Sequence, residues 1–153
     1  LDALKEQTVL VYPNCDAGSR KLIDLIEKYE SRDYLHVFKN LPHEDYISFM
    51  KSADVMIGNS SSGFIEAPTF KIPVINIGNR QRGREKSDNI LDVEPKKEKI
   101  LEAINFVFTN KAFQNKVKNC INKFGGENAS QNIIKVLKNV KINEKFLQKQ
   151  ITY

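Results

Sequence analysis

The amino-acid sequence predicts an α/β fold, a Rossmann-like parallel sheet with helices on both faces. Short apolar, β-branched runs alternate along the chain with longer segments whose apolar residues recur at helical spacing. Such alternation is typical of a mostly parallel sheet whose crossover connections are helices. We predict strands at Thr8–Tyr12, Leu35–Phe38, Ala53–Gly58, Pro73–Ile77 and Asn89–Val93.

Amphipathic helices occupy most of the intervals between and after these strands. In the first of them, Leu22, Ile26 and Tyr29 recur on one helical face. Pro68 is expected to shorten or kink the short helix that follows the third strand. We predict that the first helix ends at about Glu30. Further helices are predicted at His43–Ser52, Phe64–Phe70, Pro95–Phe108, Phe113–Phe124 and Gln131–Val140.

Length and composition describe one soluble globular domain. The chain has 153 residues, of which 41% are hydrophobic and 28% charged. We divide it into a domain at residues 1–140 and a polar, basic tail at 141–153. The net charge of +5 suits an anionic ligand. Basic residues are not interleaved with aromatic ones as in single-strand binders, so no nucleic-acid partner is expected.

Cysteine usage and hydropathy favour a cytoplasmic protein that does not contact a membrane. Cys15 and Cys120 are far apart and are predicted to be free thiols in a reducing compartment. No apolar run is long enough to cross a bilayer, and no signal peptide is recognised. His36 and His43 lack the spacing of metal ligands, so neither a metal nor a cofactor is expected.

The stretch Asp54–Asp88 forms the centre of the functional prediction. It contains a strand, a serine turn, a short helix, a second strand and a loop rich in arginine. Ligands of open parallel sheets sit at the carboxyl ends of strands, where this turn and loop are expected. Ser60 and Ser61 would offer hydroxyl groups and helix N-terminal N–H groups to a phosphate. Arg80 could reach the same crevice with a forked donor group.

Three further residues are candidates for the same binding edge. Glu66 would repel a phosphate but suits a pair of ribose hydroxyls. Asn14 follows the first strand, and the backbone at Leu41 follows the second, where it could pair with a flat base such as uracil. The residues alone leave plainer interpretations open: the serine cluster as a helix N-cap, Asn14 as a turn residue and the arginines as a solvated loop.

Three stretches together resemble the hydrolysing UDP-N-acetylglucosamine 2-epimerase family, which includes enzymes of sialic and legionaminic acid biosynthesis. They are Tyr12–Ser19, Ile57–Glu66 and Pro73–Arg84, and the turn Phe124–Ala129 is similar to a fourth family stretch. The resemblance implies the C-terminal half of a GT-B fold, which binds UDP. It assigns Ser60 and Ser61 to the pyrophosphate and Arg80 to the phosphate side. It also assigns Glu66 to the ribose, the backbone at Leu41 to the uracil and Asn14 to the sugar side.

The resemblance also implies a reaction and a missing partner domain. In the family, UDP is eliminated from the sugar and water then adds to give the free 2-epimer. The carboxylates that transfer protons lie mainly in an N-terminal domain without counterpart in this chain, which begins with Leu1 rather than Met. We therefore expect a fragment that is inactive alone and a full-length homodimer. Its substrate would be UDP-N-acetylglucosamine or a 4-acetamido-6-deoxy relative.

Two other functional classes remain open at this point. The chain could be the donor-binding half of a GT-B glycosyltransferase, which shares the fold and the nucleotide site. It could also be a stand-alone nucleotide-binding module. Transfer of the sugar to an acceptor would identify the first, and a reading frame that does not continue upstream would favour the second.

Overall fold

The computed structural model describes residues 1–14, 18–125 and 128–148. Its strands are β1 (Thr8–Val11), β2 (Leu35–Phe38), β3 (Met56–Gly58), β4 (Val74–Ile77) and β5 (Ile90–Val93). Its helices are α1 (Ser19–Tyr29), α2 (His43–Ser52), α3 (Ser62–Ile65), α4 (Lys97–Thr109), α5 (Lys111–Asn119), α6 (Ala129–Asn139) and α7 (Glu144–Leu147). Cys15 and the last five residues of the predicted tail lie outside the described residues.

All described strand pairs are parallel, as the sequence predicts, and they form two sheets. The strands β1 and β2 pair with each other, while β4 lies between β3 and β5 in a three-stranded sheet. Among the described residues, no ladder joins β1 to β3. Instead, side chains from α1 and α2, among them Ile26 and Phe49, line a crevice that is bordered by both strands.

The three-stranded sheet carries the core because both of its faces are covered by helices. On one face, Val74 and Ile90 pack with Phe64, Met50 and other buried residues. On the opposite face, Ile75 packs against α4 and α5. Neighbouring strand residues point to opposite faces, so β4 places Val74 in one cluster and Ile75 in the other. Burial on both sides explains why this apolar run is nearly continuous in sequence.

Two of the predicted helices are present but lightly buried. Only Ile26 of α1 is buried, and Leu25 on the same helix is 50% exposed. No residue of α6 is buried, although Ile133 and Leu137 are both large and apolar. Helical periodicity therefore predicts the existence of both helices correctly but does not report how much of each is covered.

The predicted helical segment Phe64–Phe70 begins two residues earlier and is interrupted near Pro68, as the sequence predicts. The segment contains α3, which is four residues long, followed by a 3-10 turn at Ala67–Phe70. Pro68 has no N–H group and cannot continue α-helical hydrogen bonding from α3, which explains the break.

The prediction of a helix over Phe113–Phe124 was displaced by several residues. The helix α5 begins earlier because the side chain of Asn110 caps it and accepts a hydrogen bond from the N–H of Phe113 at 2.8 Å. It ends at Asn119, and the backbone of Cys120 is extended. Lys71 donates to the carbonyl of Cys120, whose buried thiol is free, as predicted for this cysteine. The following segment is therefore held by contacts with other elements rather than by helical bonds.

Candidate functional site

A crevice of about 510 Å³ opens beside the carboxyl ends of β1 and β3. This volume falls in the range of small-molecule sites. Its inner wall is apolar and includes Leu10, Met50 and Ile57. Its polar lining includes Asn14, Asn59, Ser60, Ser62 and Arg80, together with the tyrosines Tyr12 and Tyr46. The structure thus brings three of the predicted site residues, Asn14, Ser60 and Arg80, to one crevice, while Ser61, Glu66 and Leu41 are not among its lining residues.

The serine turn is internally hydrogen-bonded. The hydroxyl of Ser60 accepts from the N–H of Ser62 at 3.3 Å and lies 3.3 Å from the Ser62 hydroxyl. The carbonyl of Ser61 accepts from the N–H of Phe64 at 2.9 Å, and the carbonyl of Ser60 from that of Gly63 at 3.3 Å. The N–H groups of Ser62, Gly63 and Phe64 are therefore already paired.

This geometry changes the expected basis of anion binding at the turn. A helix of four residues has few aligned peptide dipoles, so α3 supplies less positive charge than the longer predicted helix would. Ser60, Ser62 and Arg80 line the crevice together, so its hydrogen-bond donors include two serine hydroxyls and a guanidinium. Ser61 lies at the N-cap of α3, and its side chain makes no capping hydrogen bond.

Glu66 closes α3 and presents a buried, unpaired carboxylate oxygen. The residue is half-buried, and within the described residues its Oε2 atom has no hydrogen-bond partner. An unpaired buried acceptor is costly in a folded protein unless donors reach it. The ribose role of Glu66 stays a prediction, because Glu66 is not among the residues that line the crevice.

The two remaining candidates lie on other elements, and of these only Asn14 lines the crevice. Asn14 is exposed and follows β1. Leu41 is half-buried and lies between β2 and α2, where its N–H donates to the Oδ1 atom of Asn40 at 3.0 Å. A base that used the Leu41 N–H would therefore displace the Asn40 side chain first.

The loop that carries Arg80 is attached to the serine turn. It leaves β4 at Gly78, whose φ of +79° is in the left-handed region that favours glycine. The Nη1 atom of Arg80 donates to the carbonyl of Asn59 at 3.2 Å, and the Nε2 atom of Gln81 donates to the same carbonyl at 2.8 Å. Since Asn59 directly precedes Ser60, these bonds fix the arginine loop beside the turn.

A second attachment holds the far end of the loop on the sheet. Lys86 forms an ion pair with Asp92 of β5, which also accepts a hydrogen bond from the buried Asn76 of β4 at 2.8 Å. Partial burial by itself would raise the pKa of Asp92. The hydrogen bonds from Lys86 and Asn76 and the Lys86 charge outweigh burial, so the pKa of this carboxyl lies below its ordinary value.

The Lys86→Met variant should raise the pKa of Asp92, because burial remains while the ammonium group is lost. A depressed pKa in the folded state gives stability above the pKa of the unfolded chain, and that stability is lost as pH falls through the folded value. Both side chains are about half exposed, so we expect a loss of about 0.2–1 kcal/mol at pH 7 that disappears once the pH is below the lowered pKa of Asp92. Carboxyl NMR titration of Asp92 and urea unfolding at pH 7 and at acid pH measure this.

The matched control is Lys96→Met, which removes a lysine that pairs with Glu94 in a more exposed position. It should leave the titration of Asp92 unchanged. Titration of Asp92 at its ordinary value in the unmodified chain would contradict the prediction.

Sequence reasoning did not identify Asn59, Ser62 or Gln81 as parts of the site. Ser62 belongs to the serine cluster that the sequence analysis recognised, but the sequence does not show which of these serines line the crevice. Gln81 is 7% exposed although it lies between Arg80 and Arg82, which are both exposed. A buried amide within a basic loop has no periodic signal in the sequence.

The described residues contain no group of three or more His, Cys, Asp or Glu side chains that could hold a metal ion. In the same part of the chain, no helix has the length and apolar character needed to cross a membrane.

Comparisons with known proteins identify the family of this chain. The profile of the UDP-N-acetylglucosamine 2-epimerase family matches residues 1–138. The UDP-N,N′-diacetylbacillosamine 2-epimerase (hydrolyzing) of Legionella pneumophila is 32% identical over 147 residues, which cover 96% of this chain and 38% of that protein. The GDP/UDP-N,N′-diacetylbacillosamine 2-epimerase of Campylobacter jejuni is 41% identical over 97 residues, or 61% of this chain and 25% of that protein.

Solved structures show the same fold. The S. aureus MnaA–UDP co-structure has a TM-score of 0.65 at 22% identity, over 85% of this chain and 35% of that chain. The UDP-GlcNAc 2-epimerase of Methanocaldococcus jannaschii in complex with UDP-GlcNAc and UDP has a TM-score of 0.65 at 20% identity, with the same coverage. The matched part of this chain thus spans 25–38% of the length of these relatives. With its profile match and its α/β architecture, the chain belongs to the UDP-N-acetylglucosamine 2-epimerase family.

Proposed function

We propose that this chain is the UDP-binding domain of a longer hydrolysing UDP-sugar 2-epimerase. One observation supports this most directly: in a chain of this family, Ser60, Ser62 and Arg80 line one crevice beside the carboxyl ends of two parallel strands. That edge is where nucleotides bind in open α/β sheets. The crevice offers hydroxyl donors and a guanidinium to the diphosphate of a nucleotide.

The remaining predicted residues take the other parts of the ligand. Ser61, at the N-cap of α3, joins Ser60 in holding the pyrophosphate. Glu66 accepts hydrogen bonds from the ribose hydroxyls with the carboxylate oxygen that is unpaired within the described residues. The backbone at Leu41 meets the uracil after Asn40 moves away. Asn14, which lines the crevice from the end of β1, is assigned to the sugar side.

The reaction proposed for the longer protein is elimination followed by hydration. A base removes the proton at C2 of the sugar while the bond from C1 to the UDP oxygen breaks, which leaves a glycal. Water then adds across the double bond, with a proton returned to C2 on the opposite face, to give the free 2-epimer. In this chain, Ser60, Ser61 and Arg80 would stabilise the charge that develops on the departing diphosphate. The carboxylates that move protons would come from the rest of the protein.

Two sugars are candidate substrates. The Legionella pneumophila relative is named for UDP-N,N′-diacetylbacillosamine, and a Neisseria meningitidis relative that is 31% identical over 104 residues is named for UDP-N-acetylglucosamine. We propose that the longer protein, a cytoplasmic homodimer, acts on one of them in a pathway to a sialic-acid-like sugar. A product assay on that protein with both UDP-sugars would choose between them.

The 153-residue chain should bind UDP but should not release free sugar from either UDP-sugar. Binding depends on the crevice in this chain, whereas proton transfer requires groups located elsewhere. Calorimetric titration with UDP and with uridine tests binding, and proton NMR of the sugar anomeric region tests turnover. Absence of UDP binding would refute the nucleotide site, and formation of the 2-epimer by this chain would refute the division of roles.

A further inference from the structure

Gln81 differs from the residues around it in the arginine loop. Arg80, Arg82 and Arg84 are exposed, whereas Gln81 is 7% exposed. Its Nε2 atom lies 2.8 Å from the carbonyl oxygen of Asn59, in a segment 22 residues earlier in the chain. A buried amide that reaches so far along the chain stabilises a specific arrangement of two loops rather than a local turn.

The carbonyl of Asn59 has two donors with different properties. Gln81 approaches it at 2.8 Å with a neutral, buried amide. Arg80 approaches it at 3.2 Å with a charged, exposed side chain. A carbonyl oxygen has two lone pairs and can accept both. The longer bond from the exposed group is the one that can be given up at lower cost, because water can solvate that group.

We propose that Gln81 is a positioning residue for the diphosphate of the nucleotide. It keeps the Asn59 carbonyl paired when Arg80 turns from that carbonyl toward the ligand, and it holds the arginine loop beside the serine turn. Without Gln81, Arg80 would be the only described side-chain donor to this carbonyl, and a phosphate that drew Arg80 away would release the loop from the turn. This inference rests on the proposed function, since it assigns a ligand role to Arg80.

The Gln81→Met variant tests this because it keeps the size of the side chain and removes the donor. UDP affinity, measured by NMR titration of the 153-residue chain, should fall about three- to tenfold, the value of one neutral hydrogen bond. Uridine affinity should stay unchanged, because uridine has no phosphate to draw Arg80 away. In an Arg80→Ala background, Gln81→Met should change UDP affinity by less than about twofold, since the two residues act through one another.

A matched control is available in α5. Gln114 donates with its Nε2 atom to the carbonyls of Phe108 at 2.8 Å and Val107 at 3.2 Å, away from the crevice. Gln114→Met should lower the melting temperature without a change in UDP affinity. Gln81→Asn has a shorter side chain, so its amide should not reach the Asn59 carbonyl, and UDP affinity should fall as for Gln81→Met. It replaces Gln81→Met if the methionine variant no longer unfolds cooperatively.

The outcomes separate this inference from the proposed function. Three results for Gln81→Met would overturn the role of Gln81 while UDP binding by the unmodified chain stands. They are an equal loss of UDP and uridine affinity, a loss of UDP affinity of the same size in the Arg80→Ala background, and no change in UDP affinity. Failure of the unmodified chain to bind UDP would overturn the proposed function and this inference with it.

Discussion

The Arg80→Ala variant should bind UDP about ten- to hundredfold more weakly than the unmodified chain. A hydrogen bond to a charged group is worth about 1.5–3 kcal/mol, which corresponds to this range of affinity. Arg80 lines the crevice and is exposed, so it can reach a ligand without first losing a buried position. Calorimetric titration with UDP at low ionic strength measures the effect, and added salt should reduce the difference between the two proteins.

Two variants make this expectation specific to Arg80. Arg82→Ala removes a neighbouring exposed arginine that does not line the crevice, so it should change UDP affinity only slightly. Arg80→Lys keeps the charge but loses the planar, two-pronged donor, so its affinity should be intermediate. Equal losses for Arg80→Ala and Arg82→Ala would show that the loop acts through its overall charge, and the assigned role of Arg80 would be wrong.

Most of the proposed binding groups extend from the three-stranded sheet, which has helices on both faces. Ser60, Ser62 and Glu66 follow β3, and Arg80 follows β4, so all four extend from the three-stranded sheet. The other sheet contributes Asn14 and, beyond β2, Leu41. Because helices cover the three-stranded sheet on both faces, we expect the diphosphate and ribose contacts to be better preorganised than those to the base.

The parts of the fold that depend on periodicity could be predicted from sequence. The helix His43–Ser52 and the strand Leu35–Phe38 have the bounds that their apolar patterns indicate. The serine turn and the arginine loop were placed correctly at strand ends because turn residues follow apolar runs at both points. Parallel pairing followed from alternation of the two element types.

The parts that depend on long-range contacts could not be predicted in this way. The separation of β1 from β3 leaves a crevice that residues of several elements line, so the sequence information for it is spread over those elements. The start of α5 depends on the cap at Asn110, a single polar side chain. Burial of Gln81 depends on the Asn59 carbonyl, which is 22 residues distant and has no side-chain signature. Each of these features depends on a contact between particular residues, and such contacts leave no periodic pattern in the sequence.

The Phe64→Ala variant should have the largest effect on stability, about 3–5 kcal/mol. Phe64 is 2% exposed and packs in the cluster that contains Met50, Val74 and Ile90, so alanine would leave a cavity beneath the serine turn. A loss of this size is a large fraction of the stability of a typical domain. Urea unfolding followed by circular dichroism measures it.

The control is Phe108→Ala, which removes the same side chain from a position that is 51% exposed, where the expected cost is within about 0.5 kcal/mol. Since the N–H of Phe64 donates to the carbonyl of Ser61, loss of its packing should also loosen the turn. UDP affinity of Phe64→Leu, which retains most of the buried volume, should then fall even where the variant is fully folded. Similar unfolding midpoints for Phe64→Ala and Phe108→Ala would show that the core does not support the turn, and the link between packing and nucleotide binding would be lost.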